Sequence, residues 1–181
     1  MNTRILGTCG IIASPMLLIV RSGFDMANSD NISAVLGLVF LAGWACSLIG
    51  LFQLRAAGTG GARLLLGVLG VGLILAAVQQ VQDLTLESSR FNSRLYQVAD
   101  ALWPVSVAFM QVIGGVVARA RVWSGWRRWA PMLCGAALPL LFGVQAVAGR
   151  KAAAVVFGIY TTAAWGLLAW AVLTSRERSQ L

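Results

Sequence analysis

The chain has 181 residues, of which 59% are hydrophobic and only 11% charged, and its mean hydropathy is +0.80. So few polar residues cannot coat a water-soluble globule of this size, and the composition therefore places the protein in a lipid bilayer. The formal net charge of +8 does not indicate a nucleic-acid partner, because the basic residues lie in short segments between apolar runs. Histidine is absent, which excludes bis-histidine haem, most zinc sites and catalysis by imidazole.

Six apolar runs follow one another along the chain, each close to the roughly 20 residues needed to cross the hydrocarbon layer. The first run is interrupted by Gly7, Gly10 and Pro15, so the alternative is five spans and a re-entrant first segment. No small-residue cleavage site follows it, so we interpret it as a retained span. The sequence predicts an all-α integral membrane protein, one domain over residues 1–181, with spans at about 4–21, 32–54, 63–82, 95–118, 130–149 and 152–174.

The basic residues divide unevenly between the two sides of these spans. Nine lie on the side of the termini: Arg4, Arg55, Arg63, Arg119, Arg121, Arg127, Arg128, Arg176 and Arg178. Five lie on the other side: Arg21, Arg90, Arg94, Arg150 and Lys151. Because cytoplasmic loops are enriched in arginine and lysine, this distribution predicts both termini in the cytoplasm, in a bacterial inner membrane.

The second and sixth predicted spans resemble each other when residues 35–55 are aligned with residues 156–176 at a constant offset of 121. The coinciding pairs are Val35/Val156, Gly37/Gly158, Ala42/Ala163, Trp44/Trp165 and Arg55/Arg176. The preceding spans show a weaker match, between CGIIASP (9–15) and CGAALP (134–139), which needs one gap. The matches predict parallel tandem hairpins, and the alternative is a chance similarity between apolar helices that use few residue types.

The loop at 119–131 combines arginine with tryptophan between two apolar spans. Indoles prefer the headgroup level and guanidinium groups bind lipid phosphates, so the loop predicts an interfacial belt in contact with anionic lipids. The predicted belt consists of Arg119, Arg121, Trp123, Trp126, Arg127, Arg128 and Trp129.

A polar stripe on the fourth predicted span is the main candidate for function. Projected at 100° per residue, Gln97, Asp100 and Gln111 share one helix face, and Pro104 lies on the same side. Because a carboxylate facing lipid is costly, this face is expected to point into the bundle and to line an outward-facing cavity. The residues expected to complete the cavity are Gln79, Gln82, Asp83, Trp103, Gln145, Tyr160, Thr161, Thr162 and Trp165.

The same side chains also have a purely structural interpretation. Glutamine and threonine often join helices inside membrane proteins, and Asp100 can pair with Arg90 or Arg94 near the interface. For Trp165, packing is favoured over a role as a ligand-stacking surface.

Recognisable catalytic motifs are missing from the sequence. It lacks HExxH and GxSxG, and the glycine-rich RAAGTGGAR (55–63) lacks the Lys-Ser/Thr ending of a phosphate-binding loop. Cys9, Cys46 and Cys134 lie in different spans and are expected to be small buried side chains. We therefore predict no metal and no cofactor, and no enzyme activity.

Three functions remain in order of preference. The first is binding or passage of a small polar or amphipathic solute, neutral or cationic because Asp100 supplies negative charge. The second is a structural or assembly subunit of a larger membrane complex or homo-oligomer, favoured by the 20 glycines. The third is a membrane enzyme that uses Asp100 and Asp83 as an acid/base pair. A polar cavity reaching Asp100 and Gln111 favours the first, and a tightly packed interior the second.

Overall fold

The computed structural model describes residues 2–21, 29–85 and 94–175 of the chain. Every regular element among these residues is helical, which confirms the all-α prediction. The elements are α1 (Thr3–Ala13), α2 (Met16–Arg21), α3 (Ser29–Gln53), α4 (Gly61–Thr85), α5 (Arg94–Ala120), a 3₁₀ helix (Gly125–Trp129), α6 (Ala130–Gly135) and α7 (Ala137–Thr174).

Among the described residues, five helical stretches are long and apolar enough to cross a membrane. They are Thr3–Val20, Asn31–Gln53, Gly61–Thr85, Arg94–Ala120 and Ala137–Thr174. Length and composition therefore agree with a multi-pass membrane protein.

The last of these stretches changes direction within α7. Gly149 has φ 80° and ψ 174°, a backbone conformation that is open to glycine alone. In a continuous helix, residues 134 and 164 would be about 45 Å apart. Instead, the Cys134 thiol lies 3.5 Å from the carbonyl oxygen of Ala164, and the Tyr160 hydroxyl donates to the Leu133 carbonyl at 2.8 Å. The chain thus doubles back at Gly149, and α7 consists of a first arm (137–148) and a second arm (150–174).

Two other helices are interrupted near their predicted centres. Pro15 has no N–H to continue α1, and α2 starts from its carbonyl, which accepts from the N–H groups of Leu18 and Ile19. The corresponding later segment breaks at Ala136, between α6 and α7. Both interruptions fall inside the short matching segments 9–15 and 134–139.

The helices form a closed ring. α1 packs against both α3 and α7, and along the chain α3 packs on α4, α4 on α5, α5 on α6 and α6 on α7. An aromatic cluster of Phe40, Trp44 and Trp165 fills the space where α3 meets the second arm of α7. Its ring centroids are 5.1 to 6.1 Å apart. The centre of the bundle is therefore packed with aromatic side chains.

The burial patterns of α3 and the second arm of α7 agree at the offset of 121. Pairs buried in both helices are Gly37/Gly158, Phe40/Thr161, Gly43/Ala164, Trp44/Trp165, Ser47/Leu168, Leu48/Ala169, Gly50/Ala171 and Leu51/Val172. Pairs exposed in both are Val35/Val156, Ala42/Ala163 and Ile49/Trp170. The two helices thus turn equivalent faces inward, as the hypothesis of a tandem repeat expects, and the matching tryptophans Trp44 and Trp165 contact each other edge to face.

The turns at 54–60 and 121–124 lie at the same end of the bundle. A Cβ placed on Gly58 would lie 3.5 Å from that of Ala120. We call this the basic end, because it carries Arg55, Arg63, Arg119, Arg121, Arg127 and Arg128. The opposite end contains the start of α5 and the turn at Gly149.

Candidate functional site

A polar cluster joins α4 and α5 near the opposite end. The Gln79 amide donates to Asp83 and lies 3.4 Å from the hydroxyl of Tyr96, which donates to the other carboxylate oxygen of Asp83 at 3.0 Å. The Gln80 amide donates to the side-chain oxygen of Gln79 at 2.9 Å. We call these four residues (Gln79, Gln80, Asp83 and Tyr96) the Asp83 cluster.

Helix geometry explains how the Asp83 cluster assembles. Gln79 and Asp83 are four residues apart, so they are neighbours on one face of α4, and Tyr96 approaches from the first turn of α5. Gln80 lies over Gly37 of α3, where an added Cβ would be 2.6 Å from its side-chain oxygen. Gln79 and Tyr96 are buried and Asp83 is half-buried. The cluster ties three helices together, as the structural interpretation of these glutamines expects.

The structure corrects the predicted orientation of Asp100. Its side chain, like that of Gln97, is exposed on the bundle surface. The buried face of α5 runs along Ala99, Met110 and Val117, about 100° round the helix from Asp100. Packing against α4 and α6 selects that apolar face, so the polar stripe does not point inward.

Asp100 and Gln111 do not meet in one site. They are 11 residues apart on a helix that continues through Pro104, and the rise between them is about 16 Å. Gln111 is half-buried against α6, where its backbone N would be 2.5 Å from a Cβ placed on Gly135. Gln145 is exposed on the first arm of α7.

The hydroxyl groups expected to line the cavity have backbone partners instead. Thr161 donates to the carbonyl of Phe157 at 2.8 Å, and Thr162 donates to that of Gly158 at 2.9 Å. Tyr160 bonds to α6, as described above. These groups therefore satisfy their own helices or a neighbouring one.

The two tryptophans that were predicted to line the cavity, Trp103 and Trp165, pack against other aromatic side chains inside the bundle. Trp103 meets Phe157 edge to face with centroids 6.0 Å apart, and Trp165 lies in the aromatic cluster. Gln82 is half-buried, and its side-chain oxygen has no hydrogen-bond partner within the described part of the chain.

Sequence reasoning missed two members of the Asp83 cluster. On a helical wheel Gln80 projects away from Gln79 and Asp83, yet its long side chain reaches the Gln79 side-chain oxygen. Tyr96 is a phenol next to Gln97 at the start of an apolar span. A hydroxyl-bearing aromatic residue at that depth often pairs with a polar group, and this was the available signal.

The predicted interfacial belt is largely exposed at the basic end, with one correction. Trp126 and Trp129 are exposed, as are Arg119 and Arg121, and Arg127 and Arg128 are half-buried. Trp123 is only 6% exposed and packs into the core. It anchors the turn between α5 and the 3₁₀ helix, so it does not lie at the lipid surface.

Within residues 2–21, 29–85 and 94–175, no group of three or more His, Cys, Asp or Glu side chains is placed to hold a metal ion. Cys134 is buried as expected, Cys46 is half-buried, and Cys9 is exposed, contrary to expectation. No family model, curated protein or solved structure matches the chain.

Proposed function

We propose that this protein is a structural or assembly subunit of a larger membrane complex, and that it contacts its partner through the exposed side of α5 around Asp100. The observation that carries the proposal is the exposed carboxylate of Asp100 on a helix long enough to span the membrane. Asp100 lies about 10 Å along the axis from the midpoint of α5, so we infer a position inside the hydrocarbon layer on its outer side.

Lipid is a poor environment for this side chain. A charged residue at the centre of a spanning helix costs about 2.5–3.5 kcal/mol, and less towards the interface. Further round the exposed side of α5 the surface is apolar, since Val98 and Val105, about 140–160° from Asp100, are 58% and 56% exposed. A partner that supplies a donor to Asp100 and buries these valines would remove the cost. Gln97 adds an amide to the same surface.

The packed interior supports a subunit over a solute pathway. The aromatic cluster occupies the middle of the helix ring, and Asp100 and Gln111 lie too far apart along α5 to share a ligand. A partner for α5 could be another protein or a second copy of this chain.

Solute binding remains a second candidate because of the Asp83 cluster. The cluster combines a half-buried carboxylate with amide groups, and the oxygen of Gln82 close by in sequence has no partner among the described residues. A small cationic or hydrogen-bond-donating solute would suit such acceptors.

The membrane arrangement is also a proposal. We infer six crossings, with α1 and α2 as one, α6 and the first arm of α7 as another, and the second arm as the last. The basic end faces the cytoplasm of a bacterial cell with its arginines on anionic lipid, and both termini lie on that side. The charge distribution and the reversal at Gly149 support this arrangement.

Site-specific photo-crosslinking in native membranes tests the subunit proposal. A photoreactive amino acid at Ala101, which is exposed beside Asp100, should yield a discrete crosslinked protein. The same probe at Val81 is the matched control, since Val81 is exposed on α4 near the same end of the bundle. Adding Asp100→Leu should abolish the crosslink from position 101.

The result decides between the two candidates. Equal labelling from positions 101 and 81, or no protein adduct from either, would contradict the subunit proposal. Solute binding would instead appear as a rise in the unfolding midpoint of the purified protein with a small cation, lost in Asp83→Asn and kept in Asp100→Asn.

A further inference from the structure

A cavity of about 730 Å³ opens at the basic end, between the last turn of α5 and the 3₁₀ helix. It is lined by Ala118, Arg119, Arg121, Arg128 and Trp129. We propose that this cavity is a binding site for a phosphate group, and that its ligand is the headgroup of an anionic phospholipid.

The charges that face the cavity are all of one sign. Three of its five lining residues are arginines, and they come from the end of α5, the turn after it and the 3₁₀ helix. The acidic residues in the described part of the chain are Asp30, Asp83 and Asp100, in elements or turns near the opposite end. Among the described residues, no carboxylate therefore lies beside these guanidinium groups, and an external anion is a natural counter-charge.

The guanidinium group of Arg128 is oriented by its contact with Trp129. Its guanidinium carbon lies 5.1 Å from the ring centroid of Trp129, and a guanidinium held on an indole keeps its planar donor edge oriented. Its Nε atom is buried and has no hydrogen-bond acceptor among the described residues. An anion bound in the cavity beside Arg128 would compensate the guanidinium charge and accept a charge-assisted hydrogen bond from its accessible donors.

The turn that borders the cavity is fixed by its backbone conformation and by its contact with the core. Arg121 has φ 52°, a left-handed conformation that side-chain-bearing residues seldom adopt. Two residues later the buried Trp123 fixes the turn to the core. This combination holds Arg121 beside the end of α5 and keeps the three arginines together before any ligand arrives.

The depth of the cavity favours a lipid over a free anion. Trp126 and Trp129 are 45% and 43% exposed on the same 3₁₀ helix, and exposed indoles at the end of a spanning bundle mark the headgroup level. A phospholipid beside the bundle would bring its phosphodiester to this level.

Native mass spectrometry of the full chain in neutral detergent tests the site, with phosphatidylglycerol as the probe and phosphatidylcholine as the uncharged comparison. Phosphatidylglycerol should bind saturably. Arg128→Gln and Arg119→Gln should each weaken it about tenfold, the loss of one charge-assisted hydrogen bond. Arg128→Lys, which keeps the charge but not the planar edge, should weaken it less.

Arg127→Gln is the matched control, because Arg127 lies next to Arg128 in the same 3₁₀ helix, is equally half-buried and does not line the cavity. It should change the affinity less than about twofold, as expected for a screened surface charge. Circular dichroism checks each variant, and if Arg128→Gln does not fold, the exposed Arg119 provides the comparison.

Three outcomes would overturn the proposal. Equal weakening by Arg127→Gln and Arg128→Gln would show a diffuse attraction between basic surface and acidic lipid. Displacement of the lipid by millimolar inorganic phosphate would assign the site to a soluble anion. Binding of phosphatidylcholine as tight as that of phosphatidylglycerol would show that no charge is recognised.

Discussion

Single glycines decide how closely the helices of this bundle approach one another. A Cβ on Gly7 of α1 would lie 2.6 Å from the backbone N of Leu173, and one on Gly43 of α3 would lie within 3.3 Å of the carbonyl oxygen of Cys9. These contacts place α1 directly against the backbones of its two neighbours. Such close packing is the main source of stability between helices in lipid, where apolar burial alone does little.

Gly7→Ala should therefore destabilise the protein by about 1–3 kcal/mol, because the added methyl group has no space unless the backbone moves. The matched control is Gly115→Ala in α5, where an added Cβ meets no atom within 4 Å. Alanine has the higher helix propensity, so this control should be neutral or stabilising by up to about 1 kcal/mol. Unfolding in mixed micelles measures both changes, and equal effects would argue against close contact between α1 and α7.

Tyr96→Phe removes the phenol that donates to Asp83 while it keeps the ring. In a double-mutant cycle with Asp83→Asn, we expect a coupling energy of about 0.5–1.5 kcal/mol, typical of one hydrogen bond between contacting residues. Tyr160→Phe provides the comparison, because Tyr160 donates to the Leu133 carbonyl. Its effect should add to that of Asp83→Asn within about 0.5 kcal/mol. If the stability effects of Tyr96→Phe and Asp83→Asn simply add, the Asp83 cluster does not form in the membrane.

The all-α character and the positions of the long apolar helices were predicted well, but six spans were expected and five long apolar stretches are found among the described residues. The internal breaks were predicted less well. The boundary expected between residues 149 and 152 coincides with the reversal at Gly149, because glycine followed by Arg150 and Lys151 is unfavourable as the centre of an apolar span. The break at Ala136 was not expected. Nothing in its local sequence forbids a helix, and the break accompanies the packing of α6 between α5 and α7.

Gly149→Ala tests the reversal at the level of the element. No atom would contact the added Cβ, so any loss must come from the backbone conformation, whose φ of 80° disfavours every residue but glycine. We expect destabilisation of about 1–3 kcal/mol. Gly143→Ala on the first arm has helical geometry and free space, and it should change the unfolding free energy by less than about 1 kcal/mol. A neutral Gly149→Ala would indicate that the two arms do not turn at this residue.

Over the whole molecule, the first and last helical segments close the ring. α1 lies between α3 and the second arm of α7, so residues more than 160 positions apart, such as Gly7 and Leu173, touch. The path from residue 130 to residue 148 rises about 28 Å, close to the hydrocarbon thickness. The turn at Gly149 should therefore emerge on the side opposite the basic end.

Labelling with a membrane-impermeant maleimide measures this arrangement. In a background with the three native cysteines replaced by alanine, Ser124→Cys and Lys151→Cys should react from opposite sides of the membrane. Thr59→Cys should behave like Ser124→Cys, because both turns lie at the basic end. Reaction of positions 124 and 151 from the same side would mean that the first arm does not cross.

The sequence by itself was sufficient for the membrane class, the helical fold, the apolar runs and the turn at Gly149, since hydropathy and local backbone chemistry act along the chain. It also offered an interhelical link as one of two interpretations of the glutamines of α4. Only the tertiary structure decided which side of each helix faces inward. In α3 and α4 the hydrophobic residues are distributed around the whole helix, so their periodicity indicates no preferred inward face. Contacts between distant segments therefore determined that Tyr96 meets Asp83, that Trp123 is buried and that Asp100 lies on the outside.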